Sequence, residues 1–309
     1  MSAPSAPDRR AIARLRSRLP SRDEPAGPVL LALDDTPASH VPVQWAAAES
    51  SVRGTTLRVL RAVSTPLPVV DPTTPWSAWY PWAAPDGRSL VAVAWDSARA
   101  DLDGVVRQAH AVDPRLGVEV GLRKAGAPGP WPDDDALLVV GRRRGLAPRG
   151  PVPGAARRAL RRAPRAVAVV GLAGRALTGP SAHRVVVALR SREDPTGVLD
   201  VAFRAAARRR TGVTVLHAPG DHLPPAVARE LLDEVLDPYG LVFPEVDVRT
   251  RAVRGLARAV VQEAQGAALT VVGVPSSRRE ARGRTLARRV VGGTRGTVVL
   301  VPTHGPGRR

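Results

Sequence analysis

The chain has 309 residues, of which 44% are hydrophobic and 24% charged; it contains no cysteine and carries a formal charge of +18. Without cysteine there is no disulfide framework, no Cys-ligated zinc or iron–sulfur centre, and no thiol nucleophile. No apolar run reaches the ~18 residues a bilayer demands, and the first residues lack the apolar core of a signal peptide, so a cytoplasmic chain of two domains is expected.

All but one of the 46 basic residues are arginine, Lys124 being the exception. Replacement of lysine on this scale, beside heavy Ala, Gly, Pro and Val usage, reads as the composition of a GC-rich bacterial genome. A charge of this sign attracts nucleic acid, polyphosphate and anionic lipid. Neither a helix-turn-helix pattern nor aromatics interleaved with the arginines accompanies it, so nucleic acid is not the expected partner.

Residues 1–27 combine Ser, Pro and Arg and read as a disordered basic tail, within which Arg9–Leu19 has the pattern of a basic amphipathic helix. One pattern then appears twice. Val29–Asp35 (VLLALDD) is an apolar run stopped by acidic residues, the signature of a strand buried on both faces. It is followed by a helix with Val43, Ala46 and Ala47 on one face, then by the strand TLRVLRAV. A Pro- and Trp-rich loop at 66–87 holds Trp76, Trp79, Tyr80 and Trp82 and is expected to pack on its own domain. Leu102, Val105, Val106 and Ala109 then mark the core face of another helix. The second copy opens with RVVVALRS (184–191), followed by the helix VLDVAFRAAARR and the strand GVTVLHA. Its next helices are PPAVARELLDEVLDP and GLARAVVQEAQGA; the first copy has KAGAPGPWPDDD in place of the latter, too rich in Pro and Gly for a helix. Both copies close with a strand reaching glycine (Gly141, Gly273), an arginine-rich loop, a basic helix and a last strand. Strand and helix alternating at this spacing predict βαβ units and parallel sheets. The expected organisation is α/β, with domains at 28–172 and 183–303, a linker at 173–182 and a tail at 304–309.

The opening VLLALDDTPASHVPVQWAAAES and the closing VVGRRRGLAPRGPVPGAARRALRRAPRAVAVV resemble those of the universal stress protein family in its tandem form, and the resemblance extends from Val29 to Pro302. It implies two Rossmann-like domains of the adenine-nucleotide alpha-hydrolase type and a regulatory role under stress. In ATP-binding members the closing loop reads G-x2-G-x9-G-[ST]. Glycines let backbone N–H groups approach the phosphates, and a helix N-terminus adds more donors. By this resemblance Asp34 meets the nucleoside, Ala62 flanks it, and Gly141 and Gly154 are the first and third glycines. Arg144 stands at the second glycine, with Gly145 next, and Ala155 replaces the hydroxyl residue. Arg142–Arg144 would add charge-assisted contacts to phosphate. The implied ligand is ATP, with Mg, held by the first domain. In the second copy Arg190 occupies the aspartate position, Gly273 is kept, and Ser276 and Arg284 stand at glycine positions. Thr285 there reads as a phosphate ligand or a helix N-cap. That domain is expected to be degenerate, a structural partner.

The resemblance further implies that the last strands, Ala166–Val170 and Thr297–Val301, pair as an internal pseudo-dimer, with homo-oligomers also open. Two rival readings remain: a ligand-free interaction scaffold, favoured by Arg144, Ala155, Arg190 and Arg284, and an anion or nucleic-acid binder acting through its arginine-rich loops. Six scattered histidines, without metal-ligand spacing, and the lack of a nucleophile motif argue against an enzyme, slow ATP hydrolysis aside.

Overall fold

The computed structural model describes residues 26–33, 40–63, 89–124, 136–142, 166–171, 181–190, 195–218, 224–275 and 281–303. The basic N-terminal tail, the Trp-rich loop, Lys124-to-Asp135 beyond its first residue, the loop and helix expected at 143–165 and most of the expected linker lie outside them. Contacts divide the chain into two compact units, Gly27–Gly141 and Arg142–Arg309, the latter grouped with the first 26 residues.

The first unit contains β1 (Val29–Leu33), α1 (His40–Arg53), β2 (Leu57–Val63), α2 (Leu90–Val112), β3 (Val118–Lys124) and β4 (Leu137–Gly141). Its strands lie parallel in the order β3-β2-β1-β4. β1 is apolar and almost wholly buried, as a strand between two neighbours must be. Val43, Ala46 and Ala47 of α1 are completely buried, and Leu102, Val105 and Ala109 of α2 follow suit, as their spacing predicts. α2 is longer than its apolar spacing alone required: it begins at Leu90, where Ser89 accepts a hydrogen bond from the Val91 N–H as N-cap.

The second unit contains β5 (Val167–Val170), β6 (Val185–Arg190), α3 (Thr196–Arg209), β7 (Val213–Ala218), α4 (Pro225–Val242), β8 (Val248–Ala252), α5 (Leu256–Glu263), β9 (Leu269–Pro275), α6 (Ala281–Gly293) and β10 (Val298–Thr303). The order is β5-β10-β9-β6-β7-β8, all neighbours being parallel except β5 and β10. Strand β5 closes the first sequence repeat, yet it folds against β10, with Ala168 opposite Val299 in an antiparallel ladder. Compactness therefore divides after Gly141, whereas the sequence repeat ends near 172.

The two repeats match closely at the turn after their first helix. Thr55 N–H donates to Ser50 O and Thr211 N–H to Ala206 O, both at 3.0 Å, at the same point after α1 and α3. Two edge strands, β3 and β8, are additions to what the sequence pattern showed. VEVGLRK and VRTRA mix charge with few apolar residues because an edge strand is half solvated. Arg58 and Glu119, paired across β2 and β3, are an example.

A buried polar cluster ties down the start of the second unit's sheet. The Arg184 guanidinium donates to Thr214, to the Asp247 carboxylate and to the carbonyls of Val213 and Asp247, at 2.7–3.0 Å. Ser181 hydrogen-bonds Thr214 and the buried Glu263, which also pairs with Arg251. Every charge here is answered, as burial requires.

Candidate functional site

In a doubly wound sheet the chain leaves its first strand in opposite directions, and a crevice opens beyond the carboxyl ends of the two strands at that switch. In the first unit the switch lies between β1 and β4. Their register runs Val29↔Leu137 to Ala32↔Val140, which brings the end of β1 beside Gly141. In the sequence Asp34 follows β1 by one residue. Asp34, Arg144, Gly145, Gly154 and Ala155 lie outside the described residues. Ala62 is half-buried near the end of β2, where the ladder pairs its neighbour Arg61 with Leu33. The small residues Ala62 and Gly141 line the described rim, which fits a ligand approaching backbone.

Two candidates have structural duties of their own. A Cβ on Gly141 would stand 2.8 Å from Cγ of Pro42 in α1, so glycine is demanded here by helix packing as well. The Arg142 guanidinium donates to the carbonyls of Gly292 and Thr294, at 2.8 and 2.7 Å, and its backbone N–H donates to Val170 O. Arg142 thus caps the C-terminal end of α6, where carbonyls lack helical partners and a cation is favoured.

The second unit repeats the geometry between β6 and β9, with Val185↔Leu269 to Ala188↔Val272 in register. Arg190 ends β6 at the position equivalent to Asp34, half-buried, and Gly273 lies buried in β9 at the position of Gly141. Thr285 corrects one expectation. α6 begins at Ala281, so Thr285 lies inside the helix and is not its N-cap. Beside Leu189 the ladder places His217, whose imidazole burial holds below the usual histidine range, favouring the neutral form. No sequence motif marks His217; it is brought to the crevice by the register of β7. Among the described residues no group of His, Asp or Glu is arranged to hold a metal ion.

Both repeats thus carry the strand order 3-2-1-4 about the same switch, and solved structures share this arrangement across the chain. A universal stress protein from Archaeoglobus fulgidus DSM 4304 superposes with a TM-score of 0.57 at 15% identity, covering 90% of this chain and 97% of its own. The chain has the universal stress protein fold. A protein of unknown function from Pseudomonas aeruginosa PAO1 superposes with a TM-score of 0.56 at 14% identity, covering 94% of each chain. No protein-family model matches the sequence, and no curated protein matches it either. No helix among the described residues is long and apolar enough to cross a membrane.

Proposed function

We propose that this chain is a tandem member of the universal stress protein family and acts as a cytoplasmic regulatory protein rather than as an enzyme. Its first repeat holds an adenine nucleotide, ATP with Mg, and its second repeat is a structural partner. The observation that supports this reading is the register of β1 against β4, which sets the carboxyl ends of these two strands side by side; Asp34 follows the one in sequence, and the segment to Ala155 follows Gly141 at the end of the other. Asp34 would accept hydrogen bonds from the nucleoside. The backbone from Gly141 to Gly154 would approach the phosphates, with Arg144 adding charge. Arg190 cannot accept those bonds, which supports a non-binding second repeat. The antiparallel β5–β10 ladder, closing strand against closing strand, supports an internal pseudo-dimer.

Isothermal titration of the full chain with Mg-ATP, beside Asp34→Ala and Gly154→Arg, tests the reading. Saturable binding near one site per chain, lost in both variants, is the expected result. The absence of heat up to about millimolar ATP, a Kd equivalent to about −4 kcal/mol, would overturn it. A second reading, the ligand-free scaffold, then takes its place; the packing duty of Gly141 and the capping duty of Arg142 favour it.

A further inference from the structure

Charge in the second unit differs between the two faces of its sheet. α3 and α4 share one face, where Tyr239 stacks on Phe203 with ring centroids 4.8 Å apart. Together they carry Arg204, Arg208, Arg209 and Arg229 against Asp200, Glu230, Asp233, Glu234 and Asp237, close to balance. Right-handed crossovers place α5 and α6 together on the opposite face, where Val261 of α5 packs against Gly293 of α6. These two helices carry Arg258, Arg282, Arg284, Arg288 and Arg289, and their one acidic residue, Glu263, is buried and paired. A genome-wide arginine bias raises the count on every surface. It does not by itself leave carboxylates to balance the arginines on one face and almost none on the other.

Arg254, just ahead of α5, and Arg258, Arg288 and Arg289 are all exposed. Among the described residues none of the four forms an ion pair, in contrast to Arg249 and Arg251 beside them. Arg258 lies three residues before Val261 and Arg289 four before Gly293, so at ~1.5 Å per residue the two stand nearly level on helices roughly 8–10 Å apart. Arg258 and Arg289 thus face solvent side by side across the two helices, with Arg254 and Arg288 exposed beside them in the chain, and guanidinium matches phosphate geometry.

The same face excludes two other polyanion partners. No aromatic residue occurs in α5 or α6, so unstacked bases find no platform, which disfavours a single strand. Among the described residues the exposed large apolar side chains are Val52, Val91, Val112, Val120, Leu231 and Leu241, none of them on α5 or α6, so these helices show no apolar side chain for a membrane interface. We propose that the α5–α6 face binds the phosphate backbone of duplex nucleic acid through Arg254, Arg258, Arg288 and Arg289, without reading base sequence. The lack of a helix-turn-helix pattern and of interleaved aromatics weighed against nucleic acid; the uncompensated arginines of the α5–α6 face are what reverse that weighing. The proposal stands apart from the nucleotide crevice and does not depend on it.

Fluorescence anisotropy of a labelled duplex of about 30 base pairs with the full chain, across about 50 to 200 mM NaCl, tests it. The variant has all four residues changed to Gln. A control has Arg99, Arg107, Arg115 and Arg229 changed to Gln, which removes the same charge from other exposed positions. Thermal unfolding midpoints of both confirm that they fold. The α5–α6 variant is expected to bind at least about tenfold more weakly, with the slope of log K against log salt shallower by about three to four, while the control stays close to the parent. Equal weakening in both variants would reduce the effect to net charge and overturn the proposal. So would the absence of binding at the lowest salt, or loss of binding to phosphatidylserine vesicles without loss on the duplex.

Discussion

Arg210 and Gly54 are equivalent residues with the same backbone task. Each ends the first helix of its repeat in the left-handed region, at φ 50° and φ 65° respectively. Glycine adopts that conformation without penalty, whereas a Cβ there meets the neighbouring carbonyl at a cost of roughly 1 kcal/mol. The repeat therefore contains its own comparison. Arg210→Gly is expected to stabilise the protein by about 0.5–1 kcal/mol, and Gly54→Ala to destabilise it by about 1 kcal/mol. Urea unfolding midpoints check both, and a fall for Arg210→Gly would show that its side chain holds the turn by contacts worth more than the strain. The glycine is visible in the sequence as a helix stop; the arginine is not, because its strain exists only in the folded backbone.

At the scale of elements, β5 is held by close approach as much as by its ladder. A Cβ on Gly171, the residue after β5, would lie 1.9 Å from the Arg295 carbonyl oxygen and 2.8 Å from that of Gly296. Both obstacles are backbone, so the two segments must separate to admit any side chain. Gly171→Ala is expected to cost about 3 kcal/mol or more, read as a lower unfolding midpoint and faster amide exchange in β5 and β10. Unchanged exchange in those strands would show that the contact is dispensable. Element recognition by sequence follows the same physics: β1, β6 and β9 announce themselves as unbroken apolar runs because both faces are covered. β3 and β8 do not, since their exposed edges are kept soluble by Glu119, Arg249 and Arg251.

For the molecule as a whole, +18 sets a repulsion that folding intensifies, because unfolding separates the charges. Salt bridges such as Arg61–Asp101 and Arg53–Glu49 are local exceptions within an excess of cations. Raising NaCl from about 50 to about 300 mM shortens the screening distance from about 14 to about 6 Å, so the unfolding midpoint is expected to rise by a few degrees. A protein held chiefly by surface ion pairs would move the opposite way, and a falling midpoint would mean that pairing outweighs repulsion here.

The sequence by itself determined the repeated βαβ alternation, the parallel sheets, and the helical core faces at Val43, Ala46, Ala47, Leu102, Val105 and Ala109. These are periodic properties, and period is what a linear sequence records. It also marked Gly141 and Arg142 for attention, but for one chemistry only. The tertiary structure decided that Gly141 packs on Pro42, that Arg142 caps α6, that β5 belongs to the compact body of the second repeat, and that carboxylates balance arginines on one face of that repeat's sheet but not on the other. Each of these depends on residues far apart in the chain, or on which face a helix covers. Such relations come into being when crossovers and register bring segments together, and no local pattern encodes them.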